Sequence, residues 1–431
     1  MQVSLPRRED VESSLVARDF PKALELSAML LASDPANADY QALRATALMS
    51  GGQWQAAADL LEAPARAPAA AYGVKAKLAI CRAALGDHRV AADMFQKALA
   101  DRPDEFPVRL ALAESLETSG DADAALPEYF RAIHAAQQRG RWLDDATTPP
   151  PLRERVKRAM QVIDSGRHAL FERVLQPHVV AFGRDSLVRV SEALEIYLGT
   201  RRAPPSDPRQ KPKFFWMPAL PATPYFDRDL LDWYPALEQA AAAIRHELHE
   251  VLAGERELTP FLTIDDKAAE DTYLAGDPRS RSWDAFFLYR HGEKYGEHHV
   301  ACPQTSAALE AVPLTAITGH APEVLFSVLA PQTHIKPHHG VTNTRVVTHL
   351  PLLIPEGDCR LVVGDVAHAW QSGRCITFDD TFLHEAWNRT DHTRVVLILD
   401  TWNPWLSPEE CVVLKDLIER IGDFNTRAGI R

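Results

Sequence analysis

At 431 residues the chain is long for one compact unit, and at roughly 150 residues per domain two or three domains are expected. Its composition, 46% hydrophobic and 25% charged, is that of a globular protein and excludes collagen-like, mucin-like and wholly disordered classes. With 47 Lys plus Arg against 59 Asp plus Glu, the formal charge of -12 opposes generic binding to nucleic acid or to an anionic membrane. The opening MQVSLPRREDVESSL has no apolar run behind its basic residues, and no stretch approaches the ~20 apolar residues that cross a bilayer, so no membrane insertion is expected. Cys81, Cys302, Cys359, Cys375 and Cys411 are odd in number and contain no CxxC pair, which supports neither a disulfide framework nor a zinc knuckle. A cytoplasmic location follows as the expectation.

The first third is periodic. Ala23, Ala57, Ala91 and Ala125 recur every 34 residues, Gly52, Gly86 and Gly120 precede the last three by five, and Pro35 and Pro103 stand two periods apart. Between them run Leu- and Ala-rich segments of helical period, such as KLAICRAALGDHRVAADMFQKALADRP. Alanine lets two helices approach closely, glycine ends the first in a left-handed conformation, and proline does not continue the second. The pattern predicts helical hairpins and resembles the tetratricopeptide repeat over about residues 8–137. Stacked repeats either bind a peptide or brace a neighbour, so no function follows from them alone.

A TTPPP breaker near residue 147 and a further amphipathic helix follow. RRAPPSDPRQKPKFFWMPALPATPYFDR reads as a loop, and DWYPALEQAAAAIRHELHEVLAG as one helix. The expected organisation is a repeat domain over 1–137, connecting helices and a Pro-rich linker over 138–210, and a last domain over 211–431.

Beyond residue 280 the period becomes alternating. WDAFFLYR, EVLFSVLA, TRVVTHLPLLI, CRLVVGD, RCITFDD and TRVVLILDTW are short, rich in Val, Ile, Leu and Phe, and separated by turn residues. Strands without intervening helices predict an antiparallel sandwich or barrel, so the chain is α+β and multidomain. Of 17 histidines, eight lie between His320 and His392. Two contexts stand out: THIKPHHGVTNTR, where Pro337 and Gly340 bracket a turn, and FDDTFLHEAW. Two imidazoles brought together there suit Fe(II), Zn, Cu or Ni. Arg345, Val347 and His349 share one strand face, as do Arg394, Val396 and Ile398. A guanidinium on a buried face needs an anion, which is either a ligand or a structural carboxylate such as Asp379, Asp380 or Asp400.

SWDAFFLY, the CP-x-T segment at Cys302, FSVLAPQTHIKPHHGVTNTRVVTHLPLLIP and ITFDDTFLHEAWNRTDHTRVVLILDTWNP occur in this order. Over about residues 283–405 they resemble the aspartyl/asparaginyl β-hydroxylases, and the upstream repeats resemble that family's layout too. The resemblance implies a double-stranded β-helix (a jelly-roll, cupin-like barrel) with Fe(II) as the metal and 2-oxoglutarate and O2 as cosubstrates. It implies that His338 and His384 are the iron ligands, and that the triad carboxylate common in the wider superfamily is replaced by Gly340. It further implies that Arg394 and Ser327 bind the distal carboxylate of 2-oxoglutarate and that His349 meets the carboxylate at the iron end. Arg345 is a candidate for a carboxylate of cosubstrate or substrate, and Asp379 and Asp380 for orienting the ligands. Val347 replaces an Arg found in the animal members, a departure that bears on substrate recognition.

The expected activity is therefore β-hydroxylation of Asp or Asn residues in a peptide or protein, with the repeats able to steer a polypeptide to the site. Two alternatives stand beside it: the same chemistry on a free amino acid or a lipid acyl chain, and a non-catalytic repeat scaffold with a binding barrel.

Overall fold

The computed structural model describes residues 5–67, 70–254, 258–262, 271–277, 279–280 and 282–430. It divides into two compact units, Met1–Ala169 with Phe424–Arg431, and Leu170–Asp423.

The first unit is built from helix pairs: α1 (Arg8–Val16) with α2 (Phe20–Ser33), α3 (Ala38–Ser50) with α4 (Trp54–Arg66), α5 (Tyr72–Ala84) with α6 (His88–Asp101), and α7 (Phe106–Thr118) with α8 (Ala122–Gln137). Ala23, Ala57, Ala91 and Ala125 sit in the second helix of each pair and are 0–1% exposed, where a larger side chain would force the helices apart. Gly52, Gly86 and Gly120 turn the last three pairs at φ +74, +89 and +92. In each turn the next residue's N–H reaches back to a carbonyl five residues earlier, as in Asp87 to Arg82 at 2.9 Å, which closes the first helix. Phe95, Leu110, Tyr129 and Trp142 form the core, completed by Val156, Ala159 and Ile163 from α9 (Arg153–Phe182). The expected array of helical hairpins is present.

In the second unit the Pro-rich stretch from residue 201 has no helix or strand of its own until a short 3₁₀ turn at Arg228–Leu230. Isolated bridges tie it to the sheet unit: Tyr225 to Phe378 of the sheet, and Gln210 to Phe382 and Phe215 to Thr342 in the segments between strands. Among the unit's helices are α10 (Val188–Leu198), the expected α11 (Tyr234–Ala253), α12 (Gly296–Ala301), α13 (Pro303–Leu309) and most of α14 (Pro408–Ala428). The strands are β1 (Thr259–Pro260), β2 (Leu274–Ala275), β3 (Trp283–Arg290), β4 (Glu293–Lys294), β5 (Val324–Leu329), β6 (Thr333–His338), β7 (Arg345–Leu353), β8 (Cys359–Val363), β9 (Val366–Ala369), β10 (Ile376–Phe378), β11 (His384–Asn388) and β12 (Arg394–Trp402).

Among the described residues these make a seven-stranded sheet in the order β1-β3-β5-β12-β7-β10, with β4 on β3, and a five-stranded sheet in the order β2-β6-β11-β8-β9. Every pairing is antiparallel and none joins the two sheets, so the architecture is a helical unit and an antiparallel sheet unit. Strand alternation separates two cores. Phe286, Phe326, Leu350 and Leu397 face Leu237, Ile244 and Leu248 of α11, whereas Leu329, Val347 and Val396 meet Ile335, Leu361 and Ala386 of the smaller sheet. Each of these Val, Leu, Ile and Phe side chains, once buried, contributes about 1.5–3 kcal/mol. The six expected strands all form. Two further segments, singled out in the sequence for their histidines and not as strands, THIKPHH and LHEAW, form strands β6 and β11.

Candidate active site

Ser327, His338, Arg345, His349, His384 and Arg394 all line one cavity of about 150 Å³ between the two sheets. Alternation explains the convergence. Arg345, Val347 and His349 of β7, and Arg394 and Ile398 of β12, project inward with Ser327 of β5; Ile335 and His338 of β6, three residues apart, both reach the same cavity because the β6–β11 register shifts between them.

His338 and His384 are register partners on neighbouring antiparallel strands, and their ring centroids lie 4.1 Å apart. His338 Nδ1 lies 2.8 Å from the Lys336 carbonyl and His384 Nδ1 lies 3.1 Å from the Phe382 carbonyl. A carbonyl only accepts, so each Nδ1 carries the proton and each Nε2 keeps its lone pair. Burial holds both imidazoles below their usual pKa, His384 at about 4 with the neighbouring His338 adding to the effect. Both are therefore neutral near pH 7 and able to bind a metal. Among the described residues no set of three or more His, Cys, Asp or Glu side chains is arranged to hold a metal ion.

Gly340 follows two residues after His338, and space rather than backbone conformation requires glycine there. A Cβ at this position would fall 2.2–2.3 Å from the Asp380 carboxylate, while the Gly340 N–H donates to the Asp380 carbonyl at 2.6 Å. The room that a side chain at 340 would need is taken by Asp380.

Asp380 in turn lies 3.0 Å from Arg345 Nη1, and Asp400 lies 3.3 Å from the same nitrogen. Burial works against the Arg345 charge, but the two carboxylates outweigh it and raise its pKa above the ordinary value. Burial pushes the Asp400 carboxyl up to about 6, with Arg345 opposing. Asp379 points elsewhere: it accepts from Gln210 Nε2 at 2.7 Å and from the Thr381 N–H at 2.9 Å.

Arg394 has the opposite surroundings. It is 1% exposed. Its Nη1 donates to Ser327 Oγ at 3.2 Å and to the Ser327 carbonyl at 3.4 Å, and its Nε has no hydrogen-bond partner. Among the described residues no carboxylate pairs with it in the way Asp380 and Asp400 pair with Arg345, and burial lowers its pKa to about 10. Trp370 lies over the guanidinium, 4.7 Å from carbon to ring centroid, and its indole N–H donates to His349 Nδ1 at 3.3 Å. Trp283 Nε1 donates to Ser327 Oγ at 2.9 Å. With two donors already on its oxygen, the Ser327 hydroxyl proton is free to meet a ligand. A buried, unpaired guanidinium beside a free hydroxyl proton is a receptor for an anion.

Three of the other histidines in this stretch are held apart from the pair. His334 pairs with Glu385 at 2.6 Å, His339 Nδ1 lies 2.8 Å from the Thr381 carbonyl, and His392 is exposed. The two tryptophans were not singled out in the sequence. Trp283 opens a strand and reads as core, and Trp370 stands beyond a strand in AHAWQSG, where nothing local marks it.

Residues 238–404 match the model of the Aspartyl/Asparaginyl beta-hydroxylase family, so the resemblance read from the motifs is found again over a larger span. The "Ornithine lipid ester-linked acyl 2-hydroxylase" of Rhizobium tropici is 36% identical over 193 residues, covering 44% of this chain and 64% of that protein. The "Aspartyl/asparaginyl beta-hydroxylase" of Homo sapiens is 33% identical over 153 residues, covering 35% of this chain and 20% of that protein. The chain thus spans less than two thirds of the length of these curated relatives. Among solved structures, a thermophilic TPR protein of Thermus thermophilus aligns with 35% of this chain and 78% of its own, at 23% identity and a TM-score of 0.29.

Proposed function

We propose that this chain, whose residues 238–404 match the model of the aspartyl/asparaginyl β-hydroxylase family, is an Fe(II)- and 2-oxoglutarate-dependent dioxygenase that β-hydroxylates Asp or Asn residues of a peptide or protein. The sheet unit is read accordingly as a double-stranded β-helix. One observation carries the reading: a buried guanidinium without a carboxylate shares a small cavity with two neutral imidazoles whose Nε2 lone pairs are free.

His338 and His384 would hold the metal. Fe(II) with 2-oxoglutarate and O2 would supply hydroxylation of an unactivated C–H bond, the keto acid leaving as succinate and carbon dioxide. Arg394 and the Ser327 hydroxyl would clamp the distal carboxylate, and the planar guanidinium suits that task better than an ammonium. His349 would meet the carboxylate at the metal end. Asp380 occupies the space beside Gly340 and, with Asp400, compensates Arg345, which lines the cavity as the substrate-side residue. Apolar walls from Phe261, Trp283 and Phe378 exclude water from the reacting carbon. The repeat unit is proposed to receive the polypeptide. Among the described residues no helix is long and apolar enough to cross a membrane.

A second reading keeps the chemistry and changes the substrate to a lipid acyl chain. It is favoured by the aliphatic side chains Leu325, Ile335, Val347, Leu361 and Ile398 on the cavity wall and by the activity for which the Rhizobium tropici relative is named.

Anaerobic addition of Fe(II) and 2-oxoglutarate to metal-free protein tests the core of both readings. A visible charge-transfer band in the wild type that is lost in His338→Ala is the expected result, and absence of the band with confirmed metal content sinks them. Succinate release stimulated by Asp- or Asn-containing peptides, rather than by acyl lipids, then decides between the two.

A further inference from the structure

The three histidines of the cavity make different hydrogen bonds at Nδ1. His338 and His384 face backbone carbonyls there, which demand a proton on Nδ1. His349 faces the indole N–H of Trp370 at 3.3 Å, and an indole nitrogen donates only. His349 Nδ1 is therefore the bare acceptor and its proton resides on Nε2. Burial and the neighbouring Arg394 keep the ring neutral, so the tautomer alone decides whether His349 offers the cavity a donor or an acceptor. The same Trp370 ring covers the Arg394 guanidinium and limits where it can turn.

We infer that Trp370 is a positioning residue that locks His349 as an Nε2–H donor and orients Arg394, so that the cavity presents converging protons to one dianionic ligand. Without the indole, His349 is free to place its proton on Nδ1. It would then turn a lone pair toward a carboxylate and repel it. The inference rests on the proposed keto-acid site for its purpose but not for its geometry, since the indole-to-imidazole bond belongs to the protein alone.

The experiment is long-range ¹H–¹⁵N correlation on metal-free protein labelled with ¹⁵N-histidine, with the His349 signals assigned by their loss in His349→Gln. The expected wild-type pattern at pH 7 is a bare Nδ1 and a protonated Nε2. In Trp370→Phe, which keeps an aromatic ring over Arg394 but has no donor, a measurable Nδ1–H population should emerge. The KM for 2-oxoglutarate should then rise about tenfold, the equivalent of one hydrogen bond, with kcat within about twofold. A proton on His349 Nδ1 in the wild type overturns the inference whether or not the variant folds. Unchanged His349 signals and unchanged KM in folded Trp370→Phe overturn it as well. If the tautomer behaves as expected while no keto acid is bound or turned over, the dioxygenase reading fails and the role of Trp370 in setting His349 stands.

Discussion

Two buried arginines show how differently the two units use charge. In the helical unit Arg109, 5% exposed, donates to Glu128 at 2.5 Å and to the Pro103 carbonyl at 2.7 Å. Its charge is matched and its donors are engaged within the fold. In the sheet unit Arg394 is buried more deeply, with a serine as its hydrogen-bond acceptor among the described residues and an indole face above it. The first arrangement stabilises the unit that contains it. The second costs stability until an anion arrives, and so marks a binding site rather than a structural joint. Arg345 sharpens the contrast, because it lines the same cavity as Arg394 yet is compensated by Asp380 and Asp400.

The largest effect should come from the imidazole pair that gives the cavity its proposed chemistry. His384→Ala or His338→Ala is expected to lower 2-oxoglutarate turnover about 100-fold or more, given what even outer ligand supports contribute. Succinate assays check this, and retained turnover would detach the histidines from catalysis.

Exchanging each buried arginine for leucine tests the comparison itself. Arg394→Leu should raise the KM for 2-oxoglutarate about 100-fold, through loss of a charge-assisted pairing, and yet leave the protein more stable by about 1–3 kcal/mol. Arg109→Leu should leave that KM unchanged and cost about 1–3 kcal/mol. Urea unfolding of both variants reads the signs, and a destabilised Arg394→Leu would mean that its charge is compensated in the ligand-free fold.

A smaller effect depends on pH. Burial, with Asp380 adding, raises the Asp379 carboxyl to about 6, against roughly 3.9 in an unfolded chain. A raised carboxyl contributes stability that is fully present below about pH 4 and is lost as pH climbs through about 6. Asp379→Asn does not titrate, so its stability relative to wild type should improve by about 2 kcal/mol between pH 4 and pH 7.5. Denaturant curves at the two pH values measure it, and a pH-independent difference would contradict the assignment.

The smallest effect lies in the repeats. An alanine at Gly86 would meet no atom within 4 Å, so only its φ of +89 opposes the change. Gly86→Ala should therefore cost about 1–2 kcal/mol, read as a lowered urea midpoint with activity unaltered. A neutral substitution would show that the turn relaxes at no cost.

Much of this was legible in the chain. The 34-residue spacing of Ala23, Ala57, Ala91 and Ala125 located the helix pairs, because a buried small residue and a left-handed glycine are requirements of a local hairpin. Alternation in TRVVTHLPLLI and TRVVLILDTW put Arg345, His349 and Arg394 on inward faces, because successive strand side chains point to opposite sides. The ordered motifs brought six side chains together that the fold does place around one cavity. The strands β6 and β11 were harder to read, since Pro337 in β6 and the paired His384–Glu385 and Ala386–Trp387 in β11 interrupt the alternation of apolar and polar residues that identifies a strand.

The helical repeat, the inward faces of β7 and β12 and the residue types available for chemistry are written in local spacing, because each depends on neighbours close in the chain. Only the tertiary structure decided which charges meet. Both Arg345 and Arg394 lie on inward strand faces, and either could have taken a structural carboxylate. Arg345 falls beside Asp380 and Asp400, whereas Arg394 falls beneath Trp370 and beside Ser327. That division follows from strand pairing over long separations, such as Arg394 opposite Leu329 and Arg345 opposite Trp402. Periodicity does not encode it, because register between distant strands is set by the packing of the whole sheet.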